Sequence, residues 1–192
     1  MTDSAVADHA ASDRPTRRAL LGAGVIGAAL AMAGSRSVSA GTPEVSDSDA
    51  ALVGFAISLE ITARDLYDAS IAAGADDQVW SVMREQHESY AQRLSGIAGI
   101  PADARSDSVY DALEADFANS DPADAAFDLE NVAAATHVEL LADVDDSEVV
   151  AAIASIAAME SRHATVFADM SGRGGDLDAL FLNTATALSP EA

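Results

Sequence analysis

Two separated stretches of the chain write one pattern twice, in the same order. The first contains SLEITARDLY, then Asp76-Asp77, then HESYAQRLSG; the second contains DLENVAAATH, then Asp145-Asp146, then HATVFADMSG. Each copy runs a Glu inside an apolar stretch, a turn with paired Asp, a His inside a second apolar stretch, and a terminal Leu/Met-Ser-Gly. Asp77 follows Glu60 by 17 residues and Asp146 follows Glu130 by 16, so the incoming arms match. His87 lies 10 residues after Asp77 and His163 lies 17 after Asp146, a difference of seven. Seven residues are two helical turns, which keeps the same face inward. A duplicated helical hairpin is the simplest structure that satisfies both copies. It pairs Glu60 with Glu130, His87 with His163, and Arg84 with Glu160.

Helical periodicity runs through all four arms. Ser46 and Asp47 can cap the first helix, whose apolar stripe is Val53, Ala56, Leu59, Ala63, Leu66/Tyr67 and Ile71, and which ends at Gly74. Asp76 or Asp77 opens the second, with Trp80, Met83, His87, Tyr90 and Leu94 on one face and Gly96 near its end. The segment from Ile100 to Asp107, with Pro101, crosses to a short helical piece, Val109 to Phe117. Asp121-Pro122 starts the third long helix, with Phe127, Glu130, Ala134, His137 and Leu141 as its inner stripe. Asp145 or Asp146 caps the fourth, which ends near Gly172. No alternating strand pattern of useful length is present. The predicted fold is all-α: a four-helix bundle of two helical hairpins over residues 41–175, joined by one long crossover that carries a short extra helix. The tail, residues 176–192, contains a short amphipathic piece from Leu177 to Leu182 that could cover a bundle end or meet a partner chain.

Charge narrows the partners. The chain has 32 acidic residues against 10 basic ones, all of them Arg, for a net charge of -22. Nucleic acid and anionic membrane surfaces would be repelled. The positive mean hydropathy of +0.13 speaks against disorder as the reason for such charge. An Asp-rich, Lys-free surface around an Ala-rich core resembles the composition of proteins from extreme halophiles, and reads as adaptation to concentrated salt. Cysteine is absent, which leaves no disulfide and no lipid-modified thiol.

Residues 1–40 read as an address. Arg17-Arg18 is followed directly by the Gly/Ala-rich apolar run from Ala19 to Gly34, and Val38-Ser39-Ala40 offers small residues for cleavage. This resembles a twin-arginine export signal, and the run is shorter than the roughly 20 apolar residues that span a bilayer. The mature protein is expected to begin near Gly41 and to work outside the cytoplasmic membrane.

The long apolar run EVVAAIASIAAMESRHATVFADM raises the chemical question, because Glu160 and His163 fall on the stripe that should face a core. Glu60 and Glu130 do the same. Burying three unpaired carboxylates costs several kcal/mol each, so positive charge must lie near them.

These residues resemble the ferritin-like superfamily, in which each of two hairpins supplies a Glu from its first helix and a Glu-x-x-His from its second to a pair of iron or manganese ions. The resemblance covers roughly Asp47 to Gly172. It implies Glu60, His87, Glu130, Glu160 and His163 as metal ligands, with Glu160-Ser161-Arg162-His163 as the motif. In the first half the motif Glu is replaced by Arg84, and Glu85 and Glu88 lie off the face of His87. Two readings stay open. Either the cluster binds one Fe or Mn ion with positions left for oxygen or peroxide, or Arg84 forks across the carboxylates in a metal-free ion network that only fixes the packing.

His137 and Tyr67 lie seven residues after Glu130 and Glu60, about 10 Å along the helix axis, and read as core or cavity lining. Tyr90 shares the face of His87 and can hydrogen-bond into the cluster, and Trp80 reads as core. The functions that fit are an exported metal-dependent oxidoreductase or peroxide scavenger, or a non-catalytic structural or binding module of the cell envelope. A homodimer and an envelope partner are left open.

Overall fold

The structure is a computed structural model that describes residues 45–75 and 77–190. The export signal assigned to residues 1–40, and Asp76, lie outside the described residues. Six helices follow in order: α1 Asp47–Ala73, α2 Gln78–Ala98, α3 Asp107–Phe117, α4 Ala123–Leu140, α5 Ser147–Met170 and α6 Leu177–Phe181. No strand is present among the described residues. No described helix is long and apolar enough to cross a membrane.

The four long helices form two hairpins, α1 with α2 and α4 with α5. Their direction is visible in the pairs between them: Arg64 meets Glu88 while Asp68 meets Arg84, so α1 and α2 run antiparallel. Most of the expected caps are in place. Ser46 accepts from the Asp49 amide, Asp77 from Val79, and Asp146 from Glu148 and Val149. Gly74 ends α1 at φ 107°, a left-handed conformation that a β-carbon would strain. Gly96 lies near the end of α2 as expected, and Gly99 just after it takes the left-handed conformation, at φ 70°. One boundary differs from expectation. Asp121 caps nothing: Pro122 holds the position before α4, which starts without a side-chain cap. A proline there has no amide to leave unsatisfied. At 18 residues α4 is the shortest of the four.

The core has three layers along the bundle axis. At one end Val53, Ile57, Ile61, Leu94, Leu140, Ile153 and Ile156 pack as an aliphatic layer. At the other, Leu66, Tyr67, Trp80, Met83, Phe117, Leu129 and Phe167 form an aromatic one. Between them all four helices bury polar residues: Glu60 on α1, His87 on α2, Glu130 and His137 on α4, Glu160 and His163 on α5. Apolar area on both sides is what drives this polar middle out of water.

The crossover runs along α1, where Ser106 donates its amide to Thr62 Oγ1 and Ser70 donates its hydroxyl to the Phe117 carbonyl. After α6 the tail lies on α4, through Asn183 to the Asn131 carbonyl and the Leu188 amide to Thr136 Oγ1. A buried carboxylate ties the hairpins together. Asp49, 2% exposed near the start of α1, accepts the amides of Asp145 and Asp146 at 3.1 and 2.9 Å.

Replacing Asp49 with Ala strands both amides, and denaturant unfolding is expected to show a loss of about 2–3 kcal/mol. An unchanged midpoint would mean that the α4–α5 turn is held by other contacts.

Candidate metal centre

The contacts of the middle layer follow the sequence duplication. His87 Nδ1 lies 2.7 Å from Glu60 Oε2, and its counterpart His163 Nδ1 lies 3.2 Å from Glu130 Oε2. Tyr67 donates its hydroxyl to Glu130 Oε1, and its counterpart His137 faces Glu60 Oε1 with Nε2 at 3.4 Å. These last two contacts run in opposite order along α1 and α4, so those helices are antiparallel as well.

That direction corrects the expectation for His137. Seven residues do carry it about 10 Å from Glu130 on its own helix. On an antiparallel neighbour, the same seven residues bring it level with Glu60. His137 is therefore a full member of the cluster, fully buried, with Nδ1 2.9 Å from Glu160 Oε2 and 3.0 Å from the Ala133 carbonyl. The signal was in the sequence, since both copies place a polar ring seven residues after the Glu.

The two halves part at two further places. His87 turns Nε2 to Glu130 Oε1 at 3.1 Å, whereas His163 donates Nε2–H to Gln86 Oε1 at 2.6 Å. Gln86, unmarked by any sequence pattern, also accepts the Tyr90 hydroxyl, so Tyr90 reaches the cluster through it. The second difference is Arg84. The sequence allowed it to fork across the buried carboxylates; it points outward instead, its side chain 34% exposed, and pairs with Asp68 at 3.2 Å. An arginine has the reach to stay hydrated on this half-exposed face of α2. The positive charge near the three carboxylates thus comes from imidazoles.

Their mutual field sets the protonation. Burial pushes Glu130 up, but His87 and His163 beside it outweigh burial and pull its carboxyl down to about 2. Burial depresses His87, yet the Glu130 and Glu60 charges hold it well above the usual histidine range. His137 rises to about 9 against burial because Glu160 and Glu60 face it. Glu160 rises to about 7, mainly through burial, with Glu60 and Glu130 adding repulsion. The Tyr67 phenol is raised by burial and by Glu130, so it keeps its proton and donates.

Two atoms in this layer are buried without a hydrogen-bond partner, His137 Nε2 and Glu160 Oε1. A cavity of about 20 Å³ is lined by Glu60, His87 and Glu160 together with apolar residues that include Val109, Leu129 and Leu188. A cavity of that size admits one water or one ion. The ligand atoms of Glu60, His87 and Glu160 lie within 4.8 Å of one another, as do those of His87, Glu130 and His163. Nitrogen and carboxylate donors with orphaned lone pairs fit a first-row transition metal. The five sequence-assigned ligands, Glu60, His87, Glu130, Glu160 and His163, are all brought together here.

A family model for a ferritin-like domain matches residues 48–173. No curated protein and no solved structure matches the chain.

The shifts of His137 and Glu160 make metal-free stability depend on pH. Both bind protons more tightly folded than at their ordinary 6.5 and 4.5, so their contribution is complete below those values and is lost as pH rises through about 7 and then about 9. The denaturation midpoint of metal-free protein should fall between roughly pH 5 and pH 9, and His137→Gln should flatten the upper part of that fall. A level wild-type profile would contradict this.

Proposed function

The chain belongs to the ferritin-like domain family, and on that footing we propose that it binds Fe or Mn in its middle layer and acts on dioxygen or peroxide outside the cytoplasmic membrane. The observation that carries the metal reading is the orphaned Glu160 Oε1 in a residue that lines a small cavity with Glu60 and His87, the ligand atoms of these three lying within 4.8 Å of one another. Glu60, His87, Glu130, Glu160 and His163 would hold the ion. When bound, such an ion supplies one-electron redox chemistry with coordination positions free for a small oxidant.

The protein's own groups prepare that chemistry. Gln86 accepts from His163 Nε2–H at 2.6 Å while Nδ1 lies 3.2 Å from Glu130 Oε2, and the two contacts together fix the ring. Tyr67 donates to Glu130 Oε1 and so orients that carboxylate without taking a proton from it. Tyr67 also stacks on His87, with centroids 5.4 Å apart, which restrains the imidazole against rotation. Val109, Leu129 and Leu188 form an apolar wall of the same cavity. A small uncharged oxidant crosses such a wall more readily than an ion does.

One observation favours a second reading, a non-catalytic envelope module. Three imidazoles face three carboxylates, and protons can balance these charges. Export is supported by Arg17-Arg18 directly before the apolar run from Ala19.

Metal analysis of protein purified at high salt without chelators or a histidine tag should find about one Fe or Mn per chain. Glu160→Ala and His163→Ala should each lose at least ~90% of it, the loss expected when a ligand is removed. A metal-free wild type that cannot be reconstituted would favour the envelope module. Changing Arg17 and Arg18 together to Lys should keep the unprocessed chain in the cytoplasm on cell fractionation, and undiminished export would refute the signal assignment.

A further inference from the structure

The residues assigned to the ion are all enclosed: Glu60, His87, Glu130 and Glu160 are at most 1% exposed, and His163 is 3% exposed. An ion stripped of its water does not cross an apolar wall, because an unpaired charge there is far costlier than a neutral molecule. Some part of the wall has to open before the layer can be loaded. We infer that this part is the C-terminal tail, and that Leu188 is the residue that gates the cavity. The inference deepens the metal reading and rests on it.

The lining shows where the cavity lies. Glu60 and Ala63 come from α1 and Leu129 and Ala133 from α4, which places it at the seam between those two helices. Two segments reach it from outside the four long helices, Val109 from α3 and Leu188 from the tail. Both are tied to the bundle in the same way. Ser106, just before α3, donates its amide to Thr62 Oγ1 on α1, and Leu188 donates its amide to Thr136 Oγ1 on α4, each at 2.9 Å. Each threonine is buried and gives its own hydroxyl proton to the carbonyl four residues back, at 2.7 Å, so its oxygen is left to accept. One seam thus carries two covers, one fastened to each helix.

The covers differ in how firmly they are held. α3 buries Tyr110 and Phe117 in the aromatic layer, and Ser70 holds the Phe117 carbonyl, so α3 cannot lift without exposing that layer. Residues 182–189 are irregular, with Asn183, Thr184 and Thr186 exposed and Leu188 half-buried. The exposed Asn183 fastens the near end of this strap to the Asn131 carbonyl. A segment that buries so little apolar surface opens locally at much lower cost than the bundle unfolds. It also lies beyond residue 173, where the ferritin-like match ends, so this cover is an addition to the domain.

The test follows Co(II) entering the metal-free full chain by its visible absorption, and leaving the loaded chain with EDTA as acceptor. A gate sets both rates and leaves the affinity alone, whereas a residue that shapes the ligands changes the affinity. Leu188→Ala should speed uptake and removal by about tenfold each, the effect of a half-buried leucine on an opening equilibrium, with affinity within about twofold of wild type. Thr136→Val, which strands the strap's amide, should act in the same direction. Leu182→Ala, on the exposed part of the same tail, should alter neither rate. Unchanged rates in Leu188→Ala and Thr136→Val, or an affinity that shifts along with them, would overturn the gate while leaving the metal reading standing. A wild type that takes no Co(II) would overturn the metal reading, and the strap is then judged by amide hydrogen exchange of the metal-free protein. There the Leu188 amide should exchange at least about 100-fold faster than amides in the middle of α4. Equal exchange would mean that the strap leaves only when the bundle unfolds, and would refute the gate with or without metal.

Discussion

Everything in this bundle is arranged around one constraint: three carboxylates and three imidazoles are held out of water in the middle of the bundle, between an aliphatic and an aromatic layer. Charges in such a place are tolerated only when each is paired and hydrogen-bonded. Each of the four long helices contributes at least one member, so no helix can slip along its axis without breaking a pair in the middle. A shift of one residue would rotate a side chain by about 100° and carry it off the shared face. The apolar layers supply the driving force, and the polar layer sets the register, as a single buried polar position does in a coiled coil.

The same constraint explains why a duplicated chain can keep its fold while its halves diverge. A substitution at one copy needs only a local answer. With Arg84 on the surface against Asp68, Glu130 draws its partners from elsewhere: the Tyr67 hydroxyl, His87 and His163 all reach it. With Glu160 in place, the other copy holds an extra carboxylate, and His137 sits beside it. Charge is balanced within each half, yet the donor atoms are not shared equally between them.

Much of the architecture was legible in the chain, because helical periodicity and capping chemistry act locally. Ser46, Asp77 and Asp146 cap the helices they precede, and the short helix from Val109 to Phe117 lies within the crossover as expected. The five Glu and His ligand candidates could be read because an ionisable residue on an apolar stripe stands out. The errors came where the answer depended on a neighbouring helix. His137 was measured against its own Glu130, and the antiparallel direction of α1 and α4 that places it against Glu60 is a tertiary fact. Arg84 was judged by its place in a motif, although position 84 opens to a surface where Asp68 waits on α1. Gln86 has no signature, since an amide on a half-buried face is chemically ordinary until His163 turns toward it.

Protons and a metal ion would compete for the same atoms in this layer. Without an ion the carboxylates keep the imidazoles charged: His87 is raised well above its ordinary range, and His137 to about 9. A protonated ligand such as His87 must surrender a proton before an ion can take its place, so loading would release protons and grow more favourable as pH rises. Metal-free stability moves the other way, since the folded cluster binds protons that the unfolded chain gives up. The two dependences cross. On the acid side the protonated layer holds the helices in register unaided, and on the alkaline side a bound ion would supply the positive charge that the imidazoles no longer provide. A bundle built in this way would keep one fold across both conditions, because either cation answers the same buried carboxylates.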